Sequence, residues 1–243
     1  MTLDLKKHRA EVHGFGTLQE NLRQIVFGGN DGIVTTFAVV AGFAGAQAEG
    51  VLGIGTLAVL LFGFANLFAD ATSMGLGEFL SSRSQGDVYK KIRQQELTAI
   101  AERPDLEREE VLAILKHRGV NHADSTQFVE VLERNPEMMA DFMMSYEFGL
   151  ADPEDENPIL NGIYIFLSFL TFGLVPLSPY LFLPAEPATF TLSVFATFAA
   201  LFTLGFLRWY ATLERLMACL METVLVGGVC AVVAYGVGLA IGG

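Results

Sequence analysis

Five long stretches of this 243-residue chain carry almost no charge, and they constrain its fold more than anything else in it. A bilayer core about 30 Å thick takes about 20 mostly apolar residues to cross as a helix. Water is absent there, so the backbone must satisfy its own hydrogen bonds, as a helix does. Residues 32–48 are uncharged, and their apolar surface extends back to Ile25. After Glu49, residues 50–69 are again uncharged, and residues 157–185, 187–207 and 223–243 complete the set, the last starting before Glu222. The pattern predicts an all-α, polytopic membrane protein with five transmembrane helices, in which spans 1–2 and 3–4 are tight hairpins. Lys6, Lys7 and Arg9 precede the first run, but that run begins late and contains Asp31, so it reads as a retained helix and not a signal peptide.

The charges test this topology. Five spans place the N-terminal segment, the 2–3 loop and the 4–5 loop on one side. The first holds Lys6, Lys7, Arg9 and Arg23, the last Arg208 and Arg215, and the 2–3 loop all the rest of the 15 Lys and Arg. The other side has none. By the positive-inside rule the N-terminus and the 2–3 loop are cytoplasmic, and a four- or six-span chain would lose this segregation. The net charge of −12 belongs mostly to the loop, and with no basic face nucleic acid is not expected as a partner. No P-loop or nucleophile–base set appears, so the chain does not read as an enzyme. Cys219 and Cys230 lie eleven residues apart, about 16 Å along one helix, too far to pair, and read as packing residues.

The chain therefore divides into residues 1–85 (N-terminal tail and spans 1–2), 86–157 and 158–243 (spans 3–5). The middle segment reads as a small helical domain. Its first helix continues span 2 to about Arg103, where Pro104 breaks it. Asp105 is placed to cap a helix over Leu106–His117, ending at Gly119. Further helices are expected over Asp124–Arg134 and from Pro136 to Gly149, before a polar hinge at 152–157.

Span 2 carries Asn66, Asp70, Met74 and Glu78, each four residues apart, which makes one polar stripe on a helix. Charges within a bilayer usually face a cavity or a partner; the alternative is that Asp70 and Glu78 reach headgroup water. On span 1, Glu20 and Asp31 share a face if the helix starts near Thr17, and Gly28-Gly29 loosens it just before Asp31. An ion pair with Arg23 is the alternative for Glu20. Carboxylate, amide and thioether together suit a borderline divalent ion in transit, Fe2+ and its neighbours, and no His or Cys cage suggests structural zinc. A metal ion displaces protons from such carboxylates, so metal–proton exchange is expected. The loop adds Glu96, the pair Glu107 and Glu110, and the group Met143, Met144 and Glu147. Taken alone, such acids are usually a solvated face and such methionines core.

Four segments carry a family resemblance: GGNDGIVTTFAVVAGFAGA (28–46), ADATSMGLGEFLSSRS (69–84), FGLVPLSPYLF (172–182) and ETVLVGGVCAVVAYGVG (222–238). They resemble spans 1, 2, 3 and 5 of the vacuolar iron transporters, a family that includes the yeast vacuolar iron/manganese carrier; the chain reads as a bacterial-type member. The resemblance implies a homodimer with a metal path between subunits, and a cytoplasmic domain that gathers metal. It assigns Asp31 and Met74 to the membrane metal site, Glu20 to the cytoplasmic mouth, and Glu96, Glu107, Glu110, Met143, Met144 and Glu147 to the metal-binding loop domain. This chain departs from the plant pattern at Asn66, where a Glu is usual, with Asp70 placed to replace the lost acid. It departs again at Ala99, with Glu102 as the substitute. The expectation is a proton-coupled antiporter exporting cytoplasmic Fe2+, with Mn2+, Zn2+ or Co2+ as other cargo and no prosthetic group. Its expected membrane is a bacterial inner membrane, or a vacuolar membrane in a eukaryote. The rivals are a passive divalent-metal channel and a non-transporting metal sensor.

Overall fold

The computed structural model describes residues 8, 12, 16–47, 55–153 and 157–242; Lys6, Lys7, Arg9, Glu49, the 1–2 hairpin and part of the 152–157 hinge lie outside them. Among the described residues the helices are α1 (Thr17–Glu20), α2 (Leu22–Gln47), α3 (Thr56–Glu102), α4 (Pro104–His117), α5 (His122–Glu133), α6 (Pro136–Tyr146), α7 (Pro158–Phe182), α8 (Pro187–Thr212) and α9 (Leu216–Gly242). Five of them, α2, α3, α7, α8 and α9, are long and apolar enough to cross a bilayer. The chain divides into two compact units, Met1–Phe79 with Ile159–Gly243, and Leu80–Pro158.

Span 2 runs beyond its uncharged stretch of 50–69 and carries the stripe through Glu78, and its helix continues to Glu102, close to the expected break at Pro104. The described helix starts at Thr56 and its apolar character continues past Asp70 to Leu80. Asp70 and Glu78, eight residues apart, lie on one stripe and leave the rest of the helix apolar, so they do not end the span. At 47 residues α3 is about 70 Å long, more than twice the thickness of a bilayer core, and its half from Arg83 onward is charged.

In the membrane unit, glycines let helix backbones touch. A Cβ at Gly28 would lie 2.7 Å from the Ile165 carbonyl of α7, and one at Gly32 would collide with the Phe169 backbone. Gly162 of α7 meets Gly75 of α3 in the same way, a Cβ there lying 2.5 Å from the Gly75 carbonyl. Ser168 Oγ donates to the Ile25 carbonyl at 2.6 Å, a further tie between α2 and α7. Pro176 and Pro179 lie inside α7. Proline at 179 frees the Val175 carbonyl, which accepts instead from Ser178 Oγ at 2.7 Å. Ile33 of α2 packs with Ala200, Leu201 and Leu204 of α8, and Gly227 of α9 sits against Leu201. The outer surface is apolar, with Leu61, Phe68, Leu76, Phe195, Phe202, Val229 and Val232 exposed, as expected of a surface covered by lipid tails. Cys219 and Cys230 are free thiols.

In the loop unit, α4, α5 and α6 close on Ile100 of α3 through Val111, Leu115, Val129, Leu132, Met139, Ala140 and Met143. Arg93 ties α3 to α6 through Glu137 and Asp141, both at 2.7 Å. Three boundaries differ from expectation, one being the end of α6 at Tyr146 and not Gly149. Pro104 is itself the first residue of α4, so Asp105 sits in the first turn, not at the cap. Helix α5 begins two residues early because Asn121 caps it, its side chain accepting from the Asp124 N–H at 3.0 Å. Gly119 and Gly149 have φ of +83° and +66°, which ends α4 and the turn after α6.

Candidate functional site

Along α3 the residues Asn66, Asp70, Met74 and Glu78 are all half-buried, while Phe68, Leu76 and Leu80 on other faces are exposed. The four-residue stripe therefore faces the interior of the membrane unit. Asn66 Nδ2–H donates to Asp70 Oδ2 at 2.8 Å, fixing that carboxylate. Met74, one turn on, packs against Leu67, Ala71 and Phe169. From α2, Asp31 is half-buried and close enough to Asp70 for the two charges to repel. Asp31 and Asp70 thus stand within range of each other's charge, with Asn66 and Met74 one turn either side of Asp70.

Glu20 is treated differently. It ends α1 and is exposed, as is Arg23, and the two are not ion-paired. Thr35 Oγ1 donates to the Asp31 backbone carbonyl at 2.8 Å, so its hydroxyl proton stays on its own helix. Gln24 is a residue that motif reasoning misses. It is buried, and its Nε2–H donates to Glu78 Oε1 at 3.3 Å. Its only signal in the sequence is position, one turn past Glu20 and two turns before Asp31.

The loop unit gathers a second acidic group. Glu96 of α3, Glu107 and Glu110 of α4, and Glu147 at the end of α6 all act on one another's charge. Glu107 is only 3% exposed, and one oxygen each of Glu96 and Glu107 is buried with no hydrogen-bond partner. Burial, then repulsion from Glu107, Glu147 and Glu110, pushes Glu96 up to about 7, against a small opposing effect of Arg103. Burial and Glu110 raise Glu107, and burial with Glu110 and Glu107 raises Glu147. Met143 and Met144, on the helix that Glu147 ends, are fully buried, Met143 within the apolar core of the unit. Glu102 is exposed and Ala99 is buried.

Among the described residues no three His, Cys, Asp or Glu side chains stand ready to hold a metal ion by themselves. A cation would draw the mutually repelling carboxylates inward and complete its shell with amide or water oxygen or thioether sulfur. The buried, unpartnered oxygens of Glu96 and Glu107 fit that chemistry, because a cation or a proton relieves each of them.

The model of the VIT family matches residues 22–239. A vacuolar iron transporter of Centaurea cyanus is 34% identical over 94% of this chain and 91% of its own length. Vacuolar iron transporter 1 of rice (Oryza sativa subsp. japonica) is 34% identical over 96% and 90%. A vacuolar iron transporter of Plasmodium falciparum is 35% identical over 96% and 87%.

Proposed function

The chain belongs to the VIT family, and from that premise we propose that it exchanges cytoplasmic Fe2+ for protons along the face shared by spans 1 and 2, with Mn2+ as a second cargo. Its family and its relatives are transporters by name, not enzymes. The observation that carries the reading is the pair Asp31 and Asp70, on adjacent spans and close enough to repel. Two carboxylates facing each other in a low dielectric are relieved by a cation or by protons, and the same site then holds one or the other. Met74 adds a soft ligand suited to Fe2+ over harder ions. In this scheme the loop unit captures the ion and Glu20 receives it at the mouth. Asp31, Asp70 and Met74 bind it, with Asn66 holding Asp70. The far side releases it as protons bind.

Positive residues confined to one side support a cytoplasmic N-terminus and loop unit. We place the chain as a homodimer, the assembly that the resemblance implies. The test is reconstitution of the full chain in vesicles with a pH dye inside. Fe2+ movement with opposite proton movement is expected. Fe2+ movement without protons leaves a passive channel, and neither movement removes transport altogether.

The loop pocket carries its own prediction. Because Glu96 sits at about 7, it holds a proton on the acid side that a cation must displace. Mn2+ affinity should fall about tenfold between about pH 7.5 and about pH 6, and Glu96→Gln should bind more weakly at the higher pH with that dependence flattened. Calorimetric titration of the full chain at the two pH values checks this; equal slopes in wild type and variant would exclude Glu96. The same shift has a stability sign. Between the ordinary 4.5 and about 7 the folded state binds more protons, so the metal-free unit loses stability as pH rises through that window.

A further inference from the structure

Gln24 is 7% exposed, and its Oε1 is buried with no hydrogen-bond partner. Leaving a buried carbonyl unpaired is unfavourable, and an apolar side chain of similar size would fill the same space without that cost. Its other end donates to Glu78 Oε1. The two pairs Gln24–Glu78 and Asp31–Asp70 lie in one antiparallel register. Seven residues along α2 and eight back along α3 separate them, about 10–12 Å of helix.

The two ends of an amide are nearly equal in size. Half a turn about its terminal bond exchanges N–H for C=O with little change of shape. At present nitrogen and oxygen are 3.3 Å apart. After the exchange two oxygens would stand at that spacing, close to the roughly 3 Å edge of an octahedron of oxygens around a small divalent ion with bonds of about 2.1 Å.

We propose that Gln24 and Glu78 form a second cation station on the spans 1–2 path, at which the Gln24 carbonyl and the Glu78 carboxylate ligate a divalent ion after the amide turns over. Its place on a transport path rests on the function proposed above; its ability to bind does not. Without the ion, the N–H holds the carboxylate in position. With it, the carbonyl becomes a neutral ligand. One charge at this station against two at Asp31–Asp70 makes it the weaker of the two, so an ion held here can still move on.

Infrared difference spectra of the full chain in lipid, with and without Mn2+, test the ligand directly. A side-chain amide carbonyl band should shift on Mn2+ addition, and the shift should be missing from Gln24→Leu and from the isosteric Gln24→Glu. In reconstituted vesicles Gln24→Leu should raise KM for Fe2+ about tenfold while the maximal rate stays within about twofold. An amide band indifferent to Mn2+ in the wild type, or one that shifts equally in Gln24→Glu, overturns the station. A wild type that shows the Gln24-dependent shift but carries no Fe2+ keeps the station and removes the transport function.

Discussion

Asp31→Asn should lower Fe2+ movement in reconstituted vesicles by about 100-fold or more, the largest functional effect expected of any single substitution here. The two side chains are nearly the same size, so the local packing is kept. What is lost is one of the two charges that repel across spans 1 and 2. A divalent ion leaving water for a lipid-embedded site gives up its hydration and regains that energy mainly from anionic ligands. At 4 Å one unit charge pair is worth about 4 kcal/mol at an intermediate dielectric, against about 1.4 kcal/mol for each tenfold in affinity. Met74→Leu removes only a neutral sulfur and should cost far less, with Fe2+ affected more than Mn2+. Fe2+ flux by a colorimetric chelator inside the vesicles measures both. Wild-type flux from Asp31→Asn would remove Asp31 from the pathway, and with it the proposed mechanism.

Gly32→Ala should destabilise the protein by about 2–3 kcal/mol, lowering its thermal midpoint by about 4–12 °C, whereas Gly228→Ala should be neutral or slightly stabilising. The two substitutions add the same methyl group to a membrane helix. At Gly32 the new carbon would meet the carbonyl carbon, the Cα and the oxygen of Phe169, all backbone atoms of α7 that no rotamer change can move aside. Helices α2 and α7 would have to part, loosening Ile33 against α8 and Phe169 against Leu67 and Ala71. At Gly228 nothing lies within 4 Å, and alanine is the better helix former by about 1 kcal/mol. Fluorescence-detected size exclusion after heating compares them. Equal midpoints would show that the α2–α7 approach does not hold the unit together.

The five spans were legible because crossing a bilayer is a local property of length and composition, and α7, α8 and α9 lie close to where their apolar runs predict them. Span 2 outruns its uncharged stretch for a local reason as well. Its acids interrupt the uncharged run, although they sit on one stripe and leave the rest of the helix fit for lipid. The loop helices are legible through Pro104, Pro136, Gly119 and Gly149, while the Asn121 cap is masked by Asp124, a second residue type that favours helix starts, three positions on.

By itself, the order of residues determined how many helices there are, how long they run and which residues share a stripe, since a 3.6-residue period needs no knowledge of neighbours. Only the tertiary structure decided which stripes meet: Asp31 with Asp70, Gln24 with Glu78, and Glu96 with Glu107, Glu110 and Glu147. In the membrane unit that choice depends on how each helix is rotated about its axis. The rotation is set by contacts far apart in the chain, such as Gly32 against Phe169 and Gly75 against Gly162, where only the lack of a side chain lets two backbones touch.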